Sequence, residues 1–121
     1  MLPGLLLLSG CQNCLSSWCM GEETYQEIYH PIPYIKRWEK TSMTPEDRLQ
    51  DSADCGGGAS DYSPTLNHRI EREKLPGETP SEAYNRLHKE WQRCMLKKGY
   101  IYKGKCYDNE VSRASPACGA P

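Results

Sequence analysis

The sequence predicts a small, mainly α-helical domain that is stabilised by disulfide bonds, and three observations support this. The chain has 121 residues, which is room for one domain. It contains seven cysteines and no Phe, so a small core would gain much from covalent cross-links. The motifs Thr44-Pro45-Glu46-Asp47 and Thr79-Pro80-Ser81-Glu82 repeat one helix-start signal, and each predicted helix runs on to a cysteine.

The second of these helices is the best-defined element and is predicted over about 80–98. Its apolar side chains fall at helical spacings and form one stripe: Ala83, Tyr84, Leu87, Trp91, Cys94 and Met95. On the opposite, wet face Glu82 and Arg86 lie four residues apart, a spacing that suits an ion pair. Gly99 suits the position just beyond the end of the helix.

The first helix is shorter and is predicted over about 45–54, where it ends before Gly56-Gly57-Gly58. In both helices Thr can cap the free backbone amides. Pro suits the first helical position, because the N–H that it lacks would be unpaired there anyway. Asp47 and Glu82 each lie three residues after the Thr, so either can close a capping box.

The remainder of the folded part carries weaker signals. A short helix is predicted near 65–74, with Leu66 and Ile70 facing inward. Residues 108–121 contain Pro, Gly and Ala and are expected to form an irregular tail. The small helical domain is therefore expected to span 44–107.

Residues 12–43 are predicted to form an extended tether. Two prolines in Tyr29-His30-Pro31-Ile32-Pro33-Tyr34 disfavour a helix there and favour a polyproline-like conformation. The segment also contains four aromatic residues: Tyr25, Tyr29, Tyr34 and Trp38. Either these form a docking strip, or some of them pack back on the small domain, which is the favoured alternative.

The N-terminal motif Leu8-Ser9-Gly10-Cys11 directly follows a run of leucines. It resembles the lipobox of bacterial lipoprotein precursors. The resemblance implies that residues 1–10 are the remnant of a cleaved signal peptide. It also implies that Cys11 receives a diacylglycerol and an amide-linked acyl chain such as palmitate, which together anchor the tether 11–43 stably in a membrane. By the sorting pattern of enteric lipoproteins, Gln12 implies the outer membrane.

The odd number of cysteines is resolved by this assignment. Lipid on Cys11 leaves six of the seven, which suits three disulfides in an oxidising periplasm or at a cell surface. Cys55 and Cys94 are expected to pair and staple the two helices, and closing a loop of about forty residues contributes about 3–4 kcal/mol in the chain-entropy picture. The pairing of Cys14, Cys19, Cys106 and Cys118 stays open, with Cys106–Cys118 preferred.

The helix endings carry a second resemblance. Cys55-Gly-Gly-Gly, followed by Cys94-Met95 and then Lys98-Gly99-Tyr100, is similar to a pattern in small, largely uncharacterised proteobacterial lipoproteins. In that group a helix ends in a Cys-Met pair that is followed shortly by Lys-Gly-Tyr. The match covers about 44–102, half of the chain, and implies an envelope protein without implying an activity.

Composition and spacing argue against several function classes. A net charge of -1 argues against the broad electrostatic footprint of a nucleic-acid binder. No apolar run approaches the length of a transmembrane helix. Gly56-Gly57-Gly58 lacks the Lys-Ser/Thr ending of a phosphate loop.

The sequence predicts neither a metal site nor a catalytic one, and no cofactor. Cys11 and Cys14 have the spacing of zinc ligands, but a second closely spaced pair is lacking. His88 is expected to be solvated on the polar side of its helix. It is six residues from Cys94, which places the two on different helix faces and argues against a thiolate nucleophile activated by a histidine.

The sequence as a whole predicts a lipid-anchored envelope protein that acts as a structural or interaction component. It would contact the membrane through its lipid and another envelope protein through its domain, with no nucleic acid and no enzyme activity. Such a protein would serve as an accessory of a secretion, conjugation or pilus machine, or as an exclusion lipoprotein. The alternative is a soluble secreted or periplasmic module that binds thiols or metal and carries no lipid anchor.

Overall fold

The computed structural model describes residues 21–121. The chain divides into one unit that ends at Ile32 and a second, compact unit that spans Pro33–Pro121. In the first unit, helix α1 spans Glu22–Tyr29, where an extended tether was expected. The rings of Tyr25 and Tyr29 lie one turn apart with centroids 4.9 Å from each other. The helix ends before Pro31, because the residue that precedes a proline is driven out of the helical conformation.

Two principal helices organise the second unit, as the sequence predicts. Helix α2 spans Pro45–Asp54 and helix α4 spans Pro80–Lys97. Both capping boxes are present. The side chain of each Thr accepts a hydrogen bond from the backbone N–H three residues on, and the acidic side chain there accepts one from the Thr N–H. The repeated motif therefore does the same structural work twice.

Shorter elements connect and follow these helices. Helix α3 spans Asn67–Glu73, close to the helix expected near 65–74; Leu66, just before it, is buried, and Ile70 is half-buried. A 3₁₀ helix at Tyr34–Arg37 leads into strand β1, Trp38–Glu39, which pairs antiparallel with β2, Ile101–Tyr102. The register places Trp38 opposite Tyr102 and Glu39 opposite Ile101.

The tail expected to be irregular contains two short helices. Helix α5 spans Glu110–Arg113 and a second 3₁₀ helix spans Pro116–Cys118. Pro116 is buried, and the backbone N–H of Ala117 donates to the Gln92 side chain of α4 at 2.8 Å. The end of the chain is therefore fastened to the principal helix.

The core lies where α2, α4 and the two strands meet. Its fully buried large side chains are Ile35, Trp38, Leu66, Leu87, Trp91, Met95 and Tyr100. The rings of Trp38 and Trp91 meet edge to face, with centroids 5.3 Å apart. Residues 33–39 thus belong to the compact unit, which begins ahead of the expected domain start at 44. For Tyr34 and Trp38 the structure shows the packed alternative rather than an exposed strip.

Candidate functional site

The two disulfides expected between described cysteines are both present. Cys55 and Cys94 are bonded with their Cα atoms 5.6 Å apart, and Cys106 and Cys118 with theirs 5.8 Å apart. Both predicted pairings are confirmed. The lipidation candidate Cys11 lies outside the described residues, as do Cys14 and Cys19.

The first disulfide joins the end of α2 to the inner face of α4. Cys55 follows the last residue of α2, and Cys94 is one turn beyond Trp91 on α4. The second closes a shorter loop between the segment after β2 and the final 3₁₀ helix. Every cysteine within residues 21–121 is bonded, so this part of the chain offers no thiolate.

Beside the first disulfide lies an aromatic cluster drawn from the 3₁₀ helix, both strands and α4. Its members are Tyr34, Trp38, Tyr84, His88, Trp91 and Tyr102. Tyr34 is central, with its ring centroid 5.4 Å from that of His88 and 5.9 Å from that of Trp91. The cluster continues the core toward the surface, where Tyr84 is 38% exposed.

His88 is not solvated, and the expectation that it would be was wrong. Its ring stacks on Trp91, 6.0 Å between centroids, and on Tyr84, 5.6 Å. Burial lowers its pKa below the ordinary 6.5. Position 88 flanks the apolar stripe of α4, and Tyr34, from a distant part of the sequence, covers it.

The hydrogen bonds of Gln92 identify the tautomer of His88. The Gln92 Oε1 accepts from the Ala117 N–H, so its amide nitrogen faces His88 Nδ1 at 3.4 Å. Nδ1 accepts this weak bond in the tautomer that carries its proton on Nε2, and this orientation of the Gln92 amide favours that tautomer. Nε2 is buried and has no hydrogen-bond partner among the described residues. Within residues 21–121, His88 therefore has neither an acidic partner to orient it nor a nucleophile to activate.

A polar hub forms on the other side of the core around Asp51. Its carboxylate accepts a hydrogen bond from the Tyr100 hydroxyl at 2.6 Å and pairs with Lys40 at 3.2 Å and Lys98 at 3.7 Å. The hydrogen bond from Tyr100 is the main reason that the pKa of Asp51 is lowered, with the lysines adding to it. Lys40 also donates to the Lys98 carbonyl at 3.3 Å, beyond the last turn of α4. The hub ties α2 to the end of α4.

Two phenols in the core are poor proton donors to substrate or solvent. Burial raises the pKa of Tyr34 well above the ordinary 10.0. Burial, and then the hydrogen bond to Asp51, does the same for Tyr100. Both hydroxyls stay protonated near neutral pH, which suits a structural role.

The ion pairs on the surface differ from the expected pattern. Glu82 is engaged in its capping box, and Arg86 instead pairs with Glu78 at 3.0 Å and with Glu90 at 3.6 Å. The expected pair of Glu82 with Arg86 was therefore wrong, because the N-terminal cap and the salt bridge compete for one carboxylate. Exposed pairs of this kind contribute little to stability individually.

Neither a metal cluster nor a membrane-spanning helix is found in residues 21–121. No group of three or more His, Cys, Asp or Glu side chains in this range is placed to hold a metal ion. None of the helices described there combines the length and the apolar character needed to cross a bilayer. Several apolar side chains of the second unit are nevertheless exposed: Tyr62, Leu75, Tyr84, Leu96, Ile101, Tyr107 and Val111.

The fold and these contacts define the molecule's class: a small, mainly helical domain held by a disulfide in its core and another near its C-terminus. The polar side chains described above take part in helix caps, in the Asp51 hub and in surface ion pairs. Comparison with protein-family models, with curated proteins and with solved structures found no match for the chain.

Proposed function

We propose that the chain is a lipid-anchored protein of the bacterial envelope whose domain works by contact rather than by catalysis. The observation that carries this proposal is the pair of disulfides at Cys55–Cys94 and Cys106–Cys118. Disulfides persist in oxidising compartments, which is where lipoproteins carry their folded domains. The motif at Leu8-Ser9-Gly10-Cys11 supplies the means of attachment.

The disulfides also support the division of the seven cysteines. With four of them bonded in the described part of the chain, only Cys11, Cys14 and Cys19 have roles left to assign. We assign Cys11 to lipid and the other two to a third disulfide. Residues between Cys11 and Pro33 then act as the spacer between the bilayer and the domain.

The arrangement of polar groups favours a contact role. His88 is enclosed by rings, both buried phenols have raised pKa values, and the described cysteines are all oxidised. What the domain offers to a partner is its surface, on which Tyr107 is 59% and Val111 78% exposed. Such a surface serves an accessory of a secretion, conjugation or pilus machine, or an exclusion lipoprotein, and in either case the partner is another envelope protein.

Intact-mass analysis of membrane-extracted protein tests the proposal. The expected species begins at residue 11, carries acyl chains and contains no free thiol under non-reducing conditions. Cys11→Ser should abolish acylation, whereas the control Ser9→Ala, which keeps a small residue before the cysteine, should retain it. A soluble product that still contains residues 1–10 would contradict lipidation.

The same measurement addresses the alternative of a soluble thiol- or metal-binding module. That alternative now rests on Cys11, Cys14 and Cys19, because the other four cysteines are disulfide-bonded. Three free thiols on an unacylated chain would favour it. Their absence, together with an acylated N-terminus, would favour the envelope protein.

A further inference from the structure

A cleft of about 230 Å³ opens between the first 3₁₀ helix and the start of α2. None of its lining residues belongs to the aromatic cluster or to the Asp51 hub, although Arg48 borders both: it donates to the Trp38 carbonyl, and its charge acts on Tyr100. The side chains that define its chemistry are the apolar Ile35 and Leu49, the cationic Lys36 and Arg48, and the acidic Glu46 and Asp61. Its volume is below that of pockets for drug-sized ligands, so it fits a small group or the end of a longer molecule.

Arg48 is the unusual member of this set. It is only 8% exposed, and the one hydrogen bond that its side chain makes within the described residues runs from Nη1 to the Trp38 carbonyl at 3.2 Å. No carboxylate of residues 21–121 forms an ion pair with it. A guanidinium has five N–H donors, and a buried arginine is normally paired with an acid. One neutral acceptor leaves most of these donors unused.

The unused donors of Arg48 face accessible space. Among buried side-chain nitrogens and oxygens in residues 21–121, those without a hydrogen-bond partner are Trp38 Nε1 and His88 Nε2. No nitrogen of Arg48 is among them, although only Nη1 makes a hydrogen bond. Its other nitrogens therefore keep some access to solvent, and Arg48 is one of the residues that line the cleft.

We propose that this cleft binds a single carboxylate carried on a short apolar stem. The fork of donors on Arg48 matches the two oxygens of a carboxylate. Ile35 and Leu49 offer the stem an apolar wall. Glu46 and Asp61 offset the positive charges of Arg48 and Lys36, so the cleft disfavours a dianion such as a phosphate monoester and tolerates a monoanion.

Two sources present this chemistry: a free aliphatic carboxylate, or the C-terminal residue of a peptide with an apolar side chain. Both place a carboxylate within a few bonds of a hydrocarbon group. The inference concerns the compact unit and holds whether or not the chain is lipidated at Cys11.

An NMR titration of the full chain, with its disulfides intact, tests the proposal. Sodium hexanoate should give saturable shifts at the Leu49 amide and the Arg48 guanidinium, and uncharged hexanamide should bind at least about tenfold more weakly, since the ionic hydrogen bonds are lost. Acetyl-Gly-Gly-Leu with a free C-terminus is compared with its C-terminal amide. Tighter binding of the free peptide than of hexanoate identifies a peptide C-terminus; the reverse identifies a free aliphatic carboxylate.

Variants in the cleft make the test specific. Asp61→Asn removes an exposed repelling charge and should strengthen hexanoate binding about two- to fivefold, as expected of a neighbouring charge near a protein surface. The matched control Glu71→Gln removes an exposed acid of α3 outside the cleft and should leave the affinity unchanged. Arg48→Gln should abolish binding if near-ultraviolet circular dichroism shows that it folds.

Three results would overturn the proposal. One is equal binding of hexanoate and hexanamide. Another is a folded Arg48→Gln variant that binds hexanoate as the unmodified chain does. The third is an affinity of Asp61→Asn for hexanoate that equals the affinity of Glu71→Gln. This result would count against the proposal even if Arg48→Gln did not fold.

Discussion

The compact unit contains two regions that are cross-linked in different ways. The helical core consists of α2, α4 and the strands around Cys55–Cys94, and it fully buries Trp91, Met95 and Tyr100. The C-terminal loop, residues 103–121, closes around Cys106–Cys118 and leaves Tyr107 and Val111 largely exposed. In the helical core the disulfide adds to extensive packing, whereas in the C-terminal loop it joins a largely exposed segment to the final 3₁₀ helix, where Pro116 is buried.

The regions meet at several residues, among them Gln92. Gln92 of α4 accepts from Ala117 in the C-terminal loop at 2.8 Å and faces His88 in the helical core at 3.4 Å. Gln92 is itself almost completely buried. Because this buried side chain contacts both regions, we expect that loosening the C-terminal loop also affects the helical core.

Removing each disulfide in turn should give the largest losses of stability and should show which of the two regions contributes more to the free energy of unfolding. The bonded cysteines are 39 residues apart in the helical core and 12 apart in the C-terminal loop. In the chain-entropy picture, losing them costs about 4 and about 3 kcal/mol respectively. The core substitution also removes buried side-chain volume, which widens the gap.

The measurement is urea unfolding of Cys55→Ala/Cys94→Ala and of Cys106→Ala/Cys118→Ala. The core variant should have the lower midpoint. In the loop variant, hydrogen exchange should accelerate first in residues 103–121. If the loop variant proved the less stable of the two, packing would not distinguish the regions as described.

The contrast between the regions also explains what the sequence could predict. Local signals sufficed for the helix starts, because Thr44 and Thr79 interact with residues three positions away. The pairing of Cys55 with Cys94 was predictable because Cys55 directly follows the first predicted helix and Cys94 lies in the last part of the second. The preference for Cys106–Cys118 was a weaker inference and is confirmed as well.

Predictions failed where a distant segment decides the environment. His88 is enclosed because Tyr34 reaches it from 54 positions earlier in the chain. The prolines around Tyr34 suggested a tether; packing of some of its aromatic residues on the domain was the favoured alternative, but the burial of Ile35 was not predicted. The cleft at Arg48 depends likewise on residues from the 3₁₀ helix, α2 and the following loop, which only the folded chain brings together.

The burial of His88 gives a smaller effect that depends on pH. Its pKa lies below 6.5 in the folded state, so the unfolded chain binds a proton more readily. The free energy of unfolding should therefore be fully retained above pH 6.5 and should fall as the pH drops from 6.5 toward the folded-state pKa. His88→Phe, which keeps an aromatic ring without a titrating group, should flatten this part of the profile.

Asp51 provides a control for the pH experiment because it acts in a different range. Its lowered pKa stabilises the fold above its ordinary value of 3.8, and this contribution is lost as the pH falls through the folded-state value. Asp51→Asn should lower stability by a constant amount at higher pH and should change the slope of the profile only in that acidic range. An unchanged slope just below pH 6.5 in His88→Phe would show that burial of this ring does not control stability there.

The smallest expected effect is at Val111 in the C-terminal loop. This side chain is 78% exposed, so Val111→Ser should change the free energy of unfolding by less than about 0.5 kcal/mol. The matched substitution in the helical core, Met95→Ala, removes a fully buried side chain and should cost about 2–5 kcal/mol. Urea unfolding measures both. Because the fold does not depend on Val111, any loss of envelope contact in Val111→Ser would report on the surface alone. A large loss of stability would mean that Val111 itself is packed.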